Sequence, residues 1–220
     1  MYSASPGNSI PGIRGVHGSE CERTMIDVVI PCRDEARTIG AIVSAFRACP
    51  GIGNVIVVDS QCHDETWTVA EGAGAIVYPC YTQGKADAVR RGMEAVQTTR
   101  VILCDGDLRG FRKRHAELMA LNTAEVILGV PDFTRNVPWA KKDRSWIMTT
   151  GERNLPAKLI RNVIASGYTL EVCLNAAIEK SGLAVMAIRL AGVKGTPKPQ
   201  ARRIADLKRD GRWLIAHQAR

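Results

Sequence analysis

The sequence predicts an α/β fold: a mostly parallel central sheet flanked by helices, followed by a basic C-terminal helix. Three observations predict it. Short apolar, β-branched runs recur through the first half of the chain, segments of helical spacing separate them, and two of the runs stop at aspartates. Strands that alternate with helices at this spacing read as crossover units, and crossovers join parallel strands.

The first run, residues 25–31, ends at Pro31, which has no N–H to donate to a ladder. A helix is predicted from position 34 or 35 to 49, with Ile39, Ile42, Val43 and Phe46 on one face. Residues 55–59 form a second strand ending in Asp59, and a short helix is predicted from 64 to about 71. Residues 75–79 are a third strand. After Gly84 a third helix places Ala86, Val89, Met93 and Val96 at i, i+3, i+7 and i+10. The run 101–104 then ends abruptly in Asp105-Gly106-Asp107.

These strand ends carry the chemistry. In an open α/β sheet, ligands bind outside the carboxyl ends of the strands, so Asp59, Asp105 and Asp107 are expected to share one rim. Two neighbouring aspartates repel and resist desolvation unless a positive charge neutralises them. A hard divalent cation, Mn2+ or Mg2+, suits oxygen ligands and commonly also holds phosphates. A solvated Asp-Gly-Asp turn is the competing reading, since turn chemistry alone favours both residue types.

Several segments resemble one family. Val28-Val29-Ile30-Pro31-Cys32-Arg33-Asp34-Glu35 resembles the first-strand signature of the GT-A glycosyltransferases, especially family 2 and its relatives, in which an apolar strand precedes P-x-x-x-E. The stretch from Val57 through Asp59, Ser60 and Asp64 to Thr66 is similar to their V-D-D-x-S-x-D-x-T turn, with Ser60 in place of the second aspartate. Gln83-Gly84-Lys85-Ala86-Asp87-Ala88 resembles the G-K-G-x-A segment, with Ala86 in place of its second glycine, and Asp105-Gly106-Asp107 corresponds to the metal-binding D-x-D. Further on, Thr150-Gly151-Glu152-Arg153-Asn154-Leu155-Pro156 and Gly167-Tyr168-Thr169-Leu170-Glu171 resemble segments of the glucosyl-3-phosphoglycerate synthase type. That type carries a histidine after the strand near Leu190 as a third metal ligand. Here Gly195 and Thr196 follow with no histidine, which leaves the third ligand open.

The resemblance implies a GT-A domain over 25–196 and a metal-dependent glycosyltransferase that uses a nucleoside-diphosphate sugar, UDP-sugar before GDP-sugar. It implies Asp105 and Asp107 as metal ligands, with Asp107 the more direct and Asp105 nearer the ribose or acting through water. Lys85 would reach the donor diphosphate, and Gly84 and Gly106 would line its path. Pro31, Arg33, Glu35 and Asp59 would form the base and ribose pocket. Carboxylates there can accept from base N–H groups or sugar hydroxyls, although Glu35 could instead favour a helix N-terminus. Glu171 would open a helix beside the acceptor as the acceptor-side carboxylate, with Asp107 and Lys85 the other catalytic groups. Family 2 inverting enzymes often carry an E-D pair in this region, which is not found here, and the resemblance around Glu171 leans slightly towards retention. Arg153 could grip an acceptor phosphate or carboxylate bidentately; a surface helix arginine is the plainer reading. Residues 131–150, with Trp139, Trp146, Lys141, Lys142 and Arg144, read as a lid or acceptor loop. The acceptor itself is open between a small phosphorylated acid, a lipid phosphate and a protein. Sugar nucleotidyltransferases are disfavoured, because the first strand leads into Arg33-Asp34-Glu35 and not a glycine-rich phosphate loop. A non-catalytic GT-A-like binding protein is the alternative from another class.

Composition bounds the rest. A chain of 220 residues, 45% hydrophobic, is long enough for one well-buried domain. Seven cysteines without a C-x-x-C pair read as reduced thiols of a cytoplasmic protein. No run approaches the length of a membrane span, and residues 1–24, rich in Gly and Ser, read as a disordered leader. Of the net charge of +8, residues 194–220 carry eight basic groups against Asp206 and Asp210. Ile204, Leu207 and Leu214 give the segment 197–220 an apolar stripe, so it is read as a basic amphipathic tail suited to an anionic surface or membrane periphery. No aromatic platform or binding motif points to nucleic acid.

Overall fold

The computed structural model describes residues 25–82, 84–132, 150–167 and 169–195. Chain order is β1 (Ile26–Cys32), α1 (Ile39–Arg47), β2 (Ile52–Asp59), α2 (Thr66–Gly72), β3 (Ile76–Pro79), α3 (Lys85–Met93) and β4 (Arg100–Leu103). There follow β5 (Leu108–Arg109), α4 (Lys113–Ala120), β6 (Val126–Pro131), β7 (Glu152–Pro156), α5 (Ala157–Arg161), α6 (Leu170–Ser181), β8 (Val185–Leu190) and β9 (Lys194–Gly195). The main sheet runs β3-β2-β1-β4-β7-β6-β8, and β5 pairs with β9 in a separate ribbon. Neighbours in the main sheet are parallel except β7, which runs antiparallel to both β4 and β6. The mostly parallel sheet is thus as the alternation predicted.

The central strands are buried on both faces, which is why they read as unbroken apolar runs. Alternate residues serve opposite layers. Val28, Ile30 and Ile102 pack with Ile39, Ile42 and Phe46 of α1 and Met119 of α4. Val29, Val101 and Leu103 pack with Val89 and Met93 of α3 and Leu174 of α6. Each such fully buried side chain contributes about 1.5–3 kcal/mol relative to exposure. Gly92 lets α3 lie close to the sheet: a Cβ there would come within 2.5 Å of Val29 Cγ1.

Two element boundaries depart from the sequence reading. α1 starts at Ile39, not at 34 or 35. Asp34 has a left-handed backbone (φ 58°), and the amides that would begin a helix are spent on the loop after β2. Glu35 N donates to Thr66 Oγ1 (2.8 Å) and Ala36 N to Asp64 Oδ2 (3.0 Å). α3 ends at Met93, although Val96 beyond it is still buried. The leader 1–24, most of the lid segment (133–149) and the basic tail from 196 lie outside the described residues, as do Gln83 and Tyr168. Among the described residues no helix is long and apolar enough to cross a membrane.

Candidate functional site

The strand order turns back beside β1: β2 and β3 are laid down on one side and β4 on the other. Such a switch point opens a crevice at the carboxyl ends of the strands. Pro31, Cys32 and Arg33 come to it from β1 and Asp105-Gly106-Asp107 from β4. Asp59 arrives at the end of β2, in register with Cys32. Burial pushes the Cys32 thiol well up, and Cys62, Glu35, Asp105 and Asp59 push it further, in that order. Three of the predicted site carboxylates, Glu35, Asp59 and Asp105, therefore gather around the end of one strand.

The glycine between the two aspartates is a packing requirement. A Cβ on Gly106 would sit 2.5 Å from Cys32 Sγ. Thr38, just ahead of α1, donates its hydroxyl to Gly106 O at 2.7 Å, tying the turn down from the other side. Asp107 is buried to 8% exposure, and the next residue begins β5, held by β9.

Lys85 is the first residue of α3, and Gly84 before it has φ 131°. Gly167 lies against this turn: Ala86 N donates to Gly167 O at 3.2 Å, and a Cβ on Gly84 would meet Gly167 Cα at 3.3 Å. That contact brings in α6, whose first turn carries Glu171. The outcome is a three-charge cluster: Lys85 Nζ lies 2.5 Å from Asp105 Oδ1 and 2.5 Å from Glu171 Oε1. Burial by itself would depress the Lys85 ammonium, but Asp105 and then Glu171 hold its pKa well above the ordinary lysine value. Asp105 also packs against Gly151, where a Cβ would sit 2.5 Å from its Oδ2.

Glu152, which the sequence reading did not single out, lies 2% exposed on β7. Burial and then the charge of Asp105 push its pKa up to about 8. Thr150 Oγ1 lies 2.6 Å from the carbonyl of Gly129, which can only accept, and also contacts Glu152 Oε2. One hydroxyl proton cannot serve both contacts at once, which favours the protonated form of the Glu152 carboxyl. The sequence signal was the polar run Glu152-Arg153-Asn154, which is out of place in a central strand.

Arg153 is neither a surface helix residue nor free for an acceptor. It is on β7 with no exposed surface, its Nε donating to Thr150 O and its Nη1 to Asn175 Oδ1, both at 2.8 Å. Burial lowers its pKa while Glu171, Glu152 and Asp105 oppose the shift. It thus ties β7 to α6, one turn beyond Glu171. Arg33 is half-buried, with a buried Nε that has no hydrogen-bond partner. Pro31 is half-buried at the end of β1, and Asp59 Oδ1 accepts from Cys62 N at 2.8 Å.

Other groups that could be mistaken for the site are committed elsewhere. His115 accepts from Arg112 N at Nδ1 (3.0 Å) and meets Ala191 O at Nε2 (3.1 Å), so neither nitrogen is available for a metal. Asp34, Cys62 and Asp64 cluster on the surface, but both carboxylates accept loop amides. A cavity of about 470 Å³ lies on the flank of α3, lined by Val89, Met93, Ile160 and Leu170 and not by Asp105, Asp107 or Glu171.

The profile of glycosyl transferase family 2 matches residues 27–186, most of the chain. The chain belongs to this family. The four segments from β1 to the Asp105-Gly106-Asp107 turn all fall inside the family 2 match. Among curated relatives, protein RfbJ of Shigella flexneri is 34% identical over 82 residues, which are 37% of this chain and 64% of RfbJ. The chain thus spans less than two thirds of that relative's length. Among solved structures, glucosyl-3-phosphoglycerate synthase from Mycobacterium tuberculosis, in complex with Mn2+, UDP-glucose and phosphoglyceric acid, has a TM-score of 0.72. Identity is 20%, covering 88% of this chain and 79% of that one. Mannosyl-3-phosphoglycerate synthase from Rubrobacter xylanophilus has a TM-score of 0.73 at 20% identity, covering 90% and 76%. These likenesses establish the GT-A fold for this family 2 chain.

Proposed function

We propose that this chain is a metal-dependent glycosyltransferase that moves a sugar from a nucleoside-diphosphate sugar, UDP-sugar first, to an acceptor hydroxyl. The observation that carries the proposal is the convergence of Asp105, Lys85 and Glu171, from three separate elements, at the switch-point crevice. The donor set suits Mn2+ or Mg2+: Asp105 and Asp107 offer hard carboxylate oxygens, and the approach of the Lys85 ammonium to Asp105 supports a cradle shaped for positive charge. The metal would act as a Lewis acid on the departing diphosphate.

The remaining roles fall to this chain's own side chains. Lys85, at the N-terminus of α3, adds a charge-assisted contact to the diphosphate as negative charge builds on it. Arg33 brings an unsatisfied buried N–H to the crevice, and with Pro31, Glu35 and Asp59 it forms the base and ribose pocket. Gly84 and Gly106 keep the backbone low along the donor's path. Glu171 faces the acceptor. Its pairing with Lys85 suits a residue that orients the acceptor hydroxyl more than a free general base, which favours retention. Arg153 acts at one remove, by holding α6 against β7. A small phosphorylated acid is the favoured acceptor over a lipid phosphate or a protein, since glucosyl-3-phosphoglycerate synthase has been crystallised with phosphoglyceric acid and with glycerol 3-phosphate. We place the protein in the cytoplasm, with its basic tail offering contact to an anionic surface.

The test is a donor-hydrolysis screen of UDP-, GDP- and ADP-sugars with Mn2+ or Mg2+. Metal-dependent turnover of one donor class, lost in Asp107→Ala, is expected. No turnover and no metal-dependent nucleotide binding across the panel would overturn the proposal.

A further inference from the structure

Asp105 has been given a metal to hold, yet its Oδ1 is already 2.5 Å from a cation, the Lys85 ammonium. That ammonium is boxed in. Its side chain is only 15% exposed, and a second carboxylate, Glu171 (12% exposed), grips it at the same distance. Gly151 covers the Asp105 carboxylate from another direction, so closely that a Cβ would fall within 2.6 Å of both oxygens. Divalent manganese or magnesium bonds carboxylate oxygen at about 2.0–2.2 Å. A metal on the oxygen that Lys85 occupies would therefore lie against the ammonium, and like charges at that separation repel even though the Asp105 side chain is 32% exposed.

We infer that Lys85 and the divalent cation are alternative occupants of one position on Asp105, so that Lys85 must swing off this carboxylate before the metal can seat. The inference rests on the reading of Asp105 as a direct metal ligand beside Asp107, not one reached through water, and goes beyond it. It makes Lys85 a side chain with two positions, a competitor of the metal on Asp105 and a partner of the donor diphosphate. The diphosphate gives Lys85 a new anion and so clears Asp105. Metal and nucleotide then favour one another through Lys85 as well as through direct contact, and the coupling is reciprocal.

Free Mn2+, followed by electron paramagnetic resonance, is the probe, with wild type, Lys85→Met and Lys85→Gln each titrated alone and with UDP at pH 8. Removing a charge-assisted competitor should make Mn2+ alone bind about 10-fold or more tightly to either variant than to wild type. UDP should enhance Mn2+ binding less in the variants than in wild type. The two effects have opposite signs, because the same variants must bind UDP more weakly. Loss of folding would show in circular dichroism, and the Gln variant carries the same expectation as Met. Equal or weaker binding of Mn2+ alone in a folded variant would overturn the inference while leaving the glycosyltransferase reading intact. Failure of wild type to bind Mn2+ with or without UDP would overturn both. Mn2+ bound to wild type with no enhancement by UDP would overturn the competition alone.

Discussion

Replacing Gly106 by alanine should strain the turn that presents both aspartates, and the strain should be relieved by shortening one particular neighbour. The new Cβ would lie 2.5 Å from Cys32 Sγ and 3.5 Å from Pro31 O. An ordinary contact needs about 3.5–4.0 Å, so the turn or the end of β1 must give by about 1 Å. Neither yields easily: Cys32 is 2% exposed within the sheet, and Gly106 O is held by the Thr38 hydroxyl. Overpacking of this kind costs about 1–3 kcal/mol, which for a chain of this length lowers the melting temperature by roughly 2–4 °C per kcal/mol. Urea denaturation of Gly106→Ala, Cys32→Ala and the double variant completes a thermodynamic cycle. Since Cys32→Ala removes the sulfur that clashes, the double variant should be more stable than the sum of the single losses by at least about 0.5 kcal/mol. Mn2+ binding should weaken in Gly106→Ala and recover in part in the double variant. Strict additivity of the two stability losses would refute the packing argument.

Three further outcomes are expected. Asp107→Ala should still fold, as circular dichroism would show, while calorimetry finds metal-dependent nucleotide binding abolished. Glu171→Gln should retain nucleotide binding but lose roughly 10²-fold or more in transfer; equal losses in both would mean that its tie to Lys85 is structural. Glu152 is a carboxyl whose folded pKa, about 8, is raised from 4.5, so the folded chain holds a proton that the unfolded chain releases. Its contribution to stability is complete below pH 4.5 and is lost as pH rises towards 8, and Glu152→Gln should flatten that decline in urea melts at pH 5.5, 7 and 8.5.

The elements that read correctly from the sequence are those whose information is local. β1, β2 and β4 are apolar because both of their faces are covered, and α1 and α3 show their buried stripes at helical spacing. The GT-A motifs lie at strand ends, where turn chemistry and binding chemistry leave the same compact signature. β7 was missed because its residues answer to partners far away in sequence. Glu152, Arg153 and Asn154 are polar residues in a central strand, tolerated because Thr150 nearby and Arg100, Met119 and Asn175 far along the chain satisfy them. Nothing in a seven-residue window announces the last three. The start of α1 was misplaced for the same reason, since amides suited to a helix are taken by Asp64 and Thr66 from the next loop.

By itself the sequence determined the fold class, the family, and the carboxylates and lysine on which function is proposed to rest, because hydrophobic period and strand-end motifs are written in contiguous residues. Only the tertiary structure decided how those residues meet. It took Arg153 from the acceptor side into the interior, revealed Glu152 as a buried carboxyl whose pKa is raised by burial and by Asp105, and closed Lys85 between Asp105 and Glu171. The physical reason is that a charge's behaviour depends on its burial and on the charges around it, and both are set by elements distant in the chain and adjacent only after folding.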